Sequence, residues 1–160
     1  MPEYSPMAEE RRPTVRIQVV EPNQSQIRIV LDGLEEEGIP AEISPAAAAS
    51  AAALGKEAAQ MSPLNVGIGV NGVDGLIVLH HRDLPLERPL FIFRTKDVTT
   101  MQLRLLGANA ARLVKGEPLI FQAELETSEP SVSPAEQSLR DSNQMADLVA
   151  RVVRELLGQR

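Results

Sequence analysis

Gly67-Ile-Gly-Val-Asn-Gly72 has the G-x-G-x-x-G spacing that, in a dinucleotide fold, turns a strand into a helix whose amides hold a pyrophosphate. The residues that follow, Leu76 to His81, are strand-like and open no helix, so the glycines fit a hairpin better than a nucleotide loop. His80 and His81 are the only histidines. As neighbours in a strand they point to opposite faces, which argues against a shared metal. No serine or histidine sits in a nucleophile elbow, and without cysteine there is no thiol nucleophile, thiolate metal site or disulfide. Glu35, Glu36 and Glu37 carry proton-transfer groups, but a helix end offers no pocket to shift their pKa values. The residues therefore describe a non-catalytic chain.

The acidic run needs an element to position it. At about 100° per residue, Ile27, Val30, Leu31 and Leu34 share one helical face, the spacing of a core-facing stripe. The opposite face carries Ile29, Asp32, Gly33 and Glu36, an apolar residue and a bare glycine among carboxylates. A glycine there admits close approach of another surface, so Ile29, Gly33 and Glu36 are expected at a partner interface. Asn23 or Ser25 can cap the start of this helix; Gly38 and Pro40 end it. Glutamates in a last turn oppose the macrodipole by roughly 0.3–1 kcal/mol each. Either the run is a solvated acidic turn, or something offsets its charge.

The other elements follow in order. Residues 1–13 hold prolines and Glu9-Glu10-Arg11-Arg12 and read as a flexible leader. Thr14 to Val20 is a β-branched strand suited to a covered sheet. A short strand at Ala41 to Ser44 leads into an alanine-rich helix from Pro45 to Met61, slim enough to lie close to a sheet. Leu64–Val70 and Gly75–His81 form a hairpin, Pro89–Phe93 a further strand, and Thr99–Lys115 a helix ended by Gly116 and Pro118. The core domain thus spans 14–121. Residues 122–133 are polar, acidic and proline-broken, as in a linker. Over 134–160, Met145, Leu148, Val149, Val152, Val153, Leu156 and Leu157 keep the spacing of an amphipathic helix.

A chain of 160 residues, 43% hydrophobic, can bury one real core plus an appendage. A net charge of −6, with three Phe, one Tyr and no Trp, argues against nucleic acid. No apolar run approaches the ~18 residues of a membrane span, and no signal-like segment opens the chain, so the expected location is cytoplasmic.

Gly33-Leu-Glu-Glu-Glu-Gly-Ile-Pro40, Leu79-His-His-Arg-Asp-Leu-Pro85 with Pro89-Leu-Phe91, and Gly107-Ala-Asn-Ala-Ala-Arg-Leu-Val-Lys-Gly116 together resemble the small subunit of the diol/glycerol dehydratase reactivating factor. The likeness runs from about Val15 to Pro118. The same core resembles the medium subunit of the coenzyme B12-dependent dehydratase, which carries a similar acidic turn and Asn-Ala-Ala-Arg helix. This resemblance implies an α/β three-layer sandwich with a mixed sheet between helices, plus the linked C-terminal amphipathic helix. It implies a chaperone-like, non-catalytic subunit that works with an actin-like ATPase large subunit to free damaged cobalamin from inactivated dehydratase by subunit exchange. It further implies that Glu36 faces the ATPase subunit and supplies a ligand to its Mg2+, this chain alone binding no cofactor. Arg112 and Lys115 become partner contacts, although the helix dipole alone also accounts for cations there.

The leader and the terminal helix lie outside the resemblance. That helix, through Met145, Leu148, Val149, Val152 and Leu156, is similar to the short peptides that target enzymes into bacterial microcompartments, with shell proteins as partners; an intramolecular or oligomer-forming helix is the alternative. A structural medium subunit of the dehydratase, or a stand-alone interaction module, are the competing functions.

Overall fold

The computed structural model describes residues 12–122 and 134–158, the second stretch with side chains from residue 145. Strands β1 (Val15–Val20), β2 (Ala41–Pro45), β3 (Val66–Asn71), β4 (Leu76–His81) and β5 (Phe91–Arg94) form one sheet in the order β2-β1-β3-β4-β5. β1 pairs parallel with β2 and β3, while β4 runs antiparallel to both β3 and β5, so the sheet is mixed as expected. Helices α1 (Gln24–Glu36), α2 (Ala51–Met61) and α3 (Thr100–Lys115) cover it, and α4 (Pro134–Leu157) belongs to a second unit that begins at residue 123. Most of the expected leader (1–11), nearly all of the expected linker (123–133) and residues 159–160 lie outside the described residues.

Strand alternation sorts the core into two layers. Val15, Ile17 and Val19 of β1, with Val66, Ile68 and Val70 of β3, bury against Ile27, Val30 and Leu34 of α1 and Leu103 and Leu106 of α3. The alternate β3 residues, Gly67 and Gly69, face α2. A β-carbon on Gly67 would lie 2.1 Å from the Ala59 amide nitrogen, and one on Gly69 would lie 2.1 Å from the Ala51 carbonyl oxygen. Helix and strand thus meet backbone to backbone, which is why the helix is built of alanine and the strand of glycine. The G-x-G pattern is filled by protein, leaving no cradle for phosphates.

α2 begins later than its proline suggests. Pro45 continues the β1–β2 register opposite Val19, and the Ala46 amide donates to the Val19 carbonyl at 3.0 Å, so the chain stays extended. Ser50 then caps α2 by accepting from the Ala53 amide at 3.2 Å. In the β3–β4 turn, the Asn71 side-chain oxygen accepts from the Val73 and Asp74 amides, and Gly75 takes the left-handed φ of 66°.

Candidate functional site

α1 starts on Asn23, whose side-chain oxygen accepts from the Ser25 and Gln26 amides, and ends through Gly38 at φ 76°. α3 starts on a reciprocal capping box between Thr99 and Gln102 and ends on left-handed Gly116. The two helices touch through one glycine each. A β-carbon on Gly33 would stand 2.1 Å from the Arg104 carbonyl oxygen, and one on Gly107 would stand 2.0 Å from that of Val30. Gly33 lies against Arg104 and Ala108, and Glu37 lies against Arg112 and Lys115, so the helices advance together and finish side by side.

Two negative helix poles therefore share one corner of the molecule, and α3 supplies the cations. Arg104 Nε donates to Glu36 Oε1 at 2.8 Å and to Oε2 at 3.1 Å, with Nη2 also on Oε1, a fork that engages both carboxylate oxygens. Lys115 Nζ donates to Glu37 Oε2 at 2.6 Å. Arg112 lies 3.5 Å from carboxylate oxygens of both Glu37 and Glu117. Hydrogen bonding from Arg104 holds the Glu36 carboxylate below the usual glutamate pKa, and hydrogen bonding from Lys115 does the same for Glu37. The offset for the acidic run comes from α3 of the same chain.

Of the residues expected at a partner surface, Glu36 remains exposed, beside Asp32 and Glu35 in an open hollow that Arg104 completes. Gly33 needs correction: it admits close approach, but the approaching surface is α3, which buries it and removes it from any partner. Ile29 is partly buried against the core. Arg112 and Lys115 sit at the same corner as Glu36, held within the chain by Glu37 and Glu117. Among the described residues, no group of three or more His, Cys, Asp or Glu is placed to hold a metal ion. The histidines divide as expected: His80 is fully buried and its Nδ1 lies 2.9 Å from the His81 carbonyl, while the His81 Nδ1 accepts from the Asp83 amide.

Two residues escaped the sequence reading. Arg104 is one, because its partner is 68 positions away. Asn109 is the other: buried, it donates to the Ile120 carbonyl at 2.7 Å and accepts from the Ile120 amide at 2.8 Å. With Arg112 Nε on the Pro118 carbonyl, it ties the chain after α3 back onto that helix. Phe121 then stands 5.6 Å from Phe91, at the edge of an apolar cavity of about 210 Å3 that holds no titratable side chain. In α4, Met145, Leu148, Val149, Val152 and Leu156 form an exposed apolar stripe.

The dehydratase medium subunit family model matches residues 12–120. A probable glycerol dehydratase-reactivating factor small subunit of Citrobacter freundii is 47% identical over 87 residues, 54% of this chain and 73% of that one. The diol dehydratase-reactivating factor small subunit of Klebsiella michiganensis is 38% identical over 106 residues, 66% of this chain and 82% of that one. Among solved structures, a glycerol dehydratase reactivase aligns at TM-score 0.64 with 41% identity, covering 68% of this chain and 97% of that chain. A diol dehydratase-reactivating factor complexed with ADP and Mg2+ aligns at 0.63 with 37% identity, covering 68% and 98%.

Proposed function

We infer the function of a chain that belongs to the dehydratase medium subunit family and, within it, to the small subunits of diol and glycerol dehydratase-reactivating factors. It is a reactivating factor small subunit, and it acts by occupying a place rather than by chemistry of its own. The observation that carries this is a double likeness: residues 12–120, which the dehydratase medium subunit family model matches, lie in a core that is similar in fold to a glycerol dehydratase reactivase. A subunit shaped like the one it displaces can take that position in an inactivated dehydratase and open a path for damaged cobalamin to leave. Intact coenzyme then binds. ATP hydrolysis belongs to an actin-like large subunit, and the corner built by α1 and α3 is the surface presented to it.

Glu36 suits a magnesium ion held mainly by that partner. A carboxylate oxygen is the hard donor Mg2+ prefers, and this one is exposed and kept ionised by its neighbour. When bound, the ion would supply a positive bridge between the subunits; this chain would contribute a single ligand. Arg112 and Lys115 are placed beside it to meet acidic groups on the partner.

The test is co-purification of the tagged chain with an actin-like ATPase in the presence of ADP and Mg2+. Recovery of the ATPase, weakened by Glu36→Ala, supports the reading; recovery of only the dehydratase's other subunits makes the chain a medium subunit.

The exposed stripe of α4 lies beyond the residues that the family model matches, and it favours a second role. We propose that α4 docks the factor to shell proteins of a bacterial microcompartment, the location this reading implies. No helix among the described residues is long and apolar enough to cross a membrane.

A further inference from the structure

We infer that Arg104 gates Glu36: the guanidinium holds the carboxylate in the free subunit and must release it when the partner's divalent cation takes that carboxylate. This rests on the reading of Glu36 as an interface ligand. The fork occupies both oxygens of Glu36, with Nε shared between them and Nη2 on Oε1, so one whole edge of the carboxylate is taken. A cation arriving at that edge displaces the arginine. One arriving on the far side sits close to a guanidinium of like sign. Release is cheap, because the two side chains are 56% and 49% exposed and water replaces the lost hydrogen bonds. The arginine also has somewhere to go: Asp32 borders the same hollow and already attracts it. Arg104 therefore has alternative carboxylates on one helix face, and the cation selects between them.

Competition gives a sign that a structural salt bridge does not. Isothermal titration of the full chain into its ATPase partner, with ADP and with or without Mg2+, measures how much the metal strengthens association. Removing the competitor in Arg104→Ala should enlarge that Mg2+-dependent gain by about two- to five-fold, the worth of one exposed ion pair that need no longer open. Arg104→Lys, which cannot form the fork, should fall between Arg104→Ala and the native chain. Without Mg2+ the native chain and Arg104→Ala should bind alike, and thermal melts check that each variant is folded. A Mg2+-dependent gain that is equal or smaller in Arg104→Ala, while Glu36→Gln still abolishes it, overturns the gate and leaves the interface reading standing. A gain that survives Glu36→Gln removes the interface reading and the gate with it.

Discussion

Replacing Gly33 with alanine puts a methyl group where the Arg104 carbonyl oxygen already stands, 2.1 Å from the new carbon. That oxygen belongs to helix backbone and has no rotamer to escape into, so α3 must retreat by roughly 1 Å before the contact is tolerable. Overpacking of this kind costs about 1–3 kcal/mol. The retreat also loosens Leu103 and Leu106 against Val30 and Leu34, all now buried. Against this, alanine in a helix interior regains up to about 1 kcal/mol over glycine. Because the clash is with backbone, the overpacking cost falls at the upper end of its range; a net loss of about 2 kcal/mol is expected, and at about 4–8 °C per kcal/mol the melting temperature should fall by roughly 8–16 °C. Gly107→Ala should behave alike, since its methyl would meet the Val30 carbonyl at 2.0 Å. The double variant should cost clearly less than the two losses added together, because one separation of the helices accommodates both methyls. Circular dichroism melts and urea titrations of the four proteins measure this. A Gly33→Ala protein as stable as the native one, or more stable, would show that helix propensity wins and that α1 and α3 are not in backbone contact.

Gly38→Ala is the contrast: no atom lies within 4 Å of its missing carbon, so only the left-handed φ of 76° is penalised. A loss of about 1 kcal/mol, smaller than for Gly33→Ala, should appear in the same melts. The Glu37 carboxylate lies below the ordinary glutamate value of 4.5, so its contribution is present above that value and is lost as pH falls through the lowered one. The stability difference between the native chain and Glu37→Gln should therefore be visible at neutral pH, fade as pH falls through the lowered carboxylate pKa, and shrink in molar salt. Asn109→Leu removes the side-chain partner of both partly buried backbone groups of Ile120; a loss of about 1 kcal/mol and faster amide exchange at Ile120 are expected. If α4 docks to shell proteins as proposed, a fluorescently tagged full chain should gather in microcompartment foci, and Val149→Asp with Val152→Asp should scatter them while leaving the core's melting unchanged.

Local rules recovered most of the scaffold because most of it is locally determined. Alternating apolar residues named the strands, the 3.6-residue stripe named α1 and α3, and Asn23, Thr99, Gly38 and Gly116 punctuate the helices by chemistry that needs no distant partner. The start of α2 was misplaced where tertiary structure overrode propensity: Pro45 suits a first helical turn, but the β1 ladder claims it. The site was half legible. Successive glutamates against a helix dipole break a local rule, and that break marked the corner proposed as the partner surface. What repairs it is invisible in one dimension, because it depends on α1 and α3 lying parallel, and that depends on Gly33 and Gly107, 74 positions apart, each lying against the other helix's backbone. The same glycine pair fixes how far Arg104 stands from Glu36. The residue first assigned to a partner's surface thus acts one step earlier: Gly33 sets the helix spacing that lets Arg104 reach Glu36. If that is so, widening the helix pair in Gly33→Ala should weaken the fork and reproduce part of the Arg104→Ala effect on Mg2+-dependent association, although Gly33 itself touches no partner.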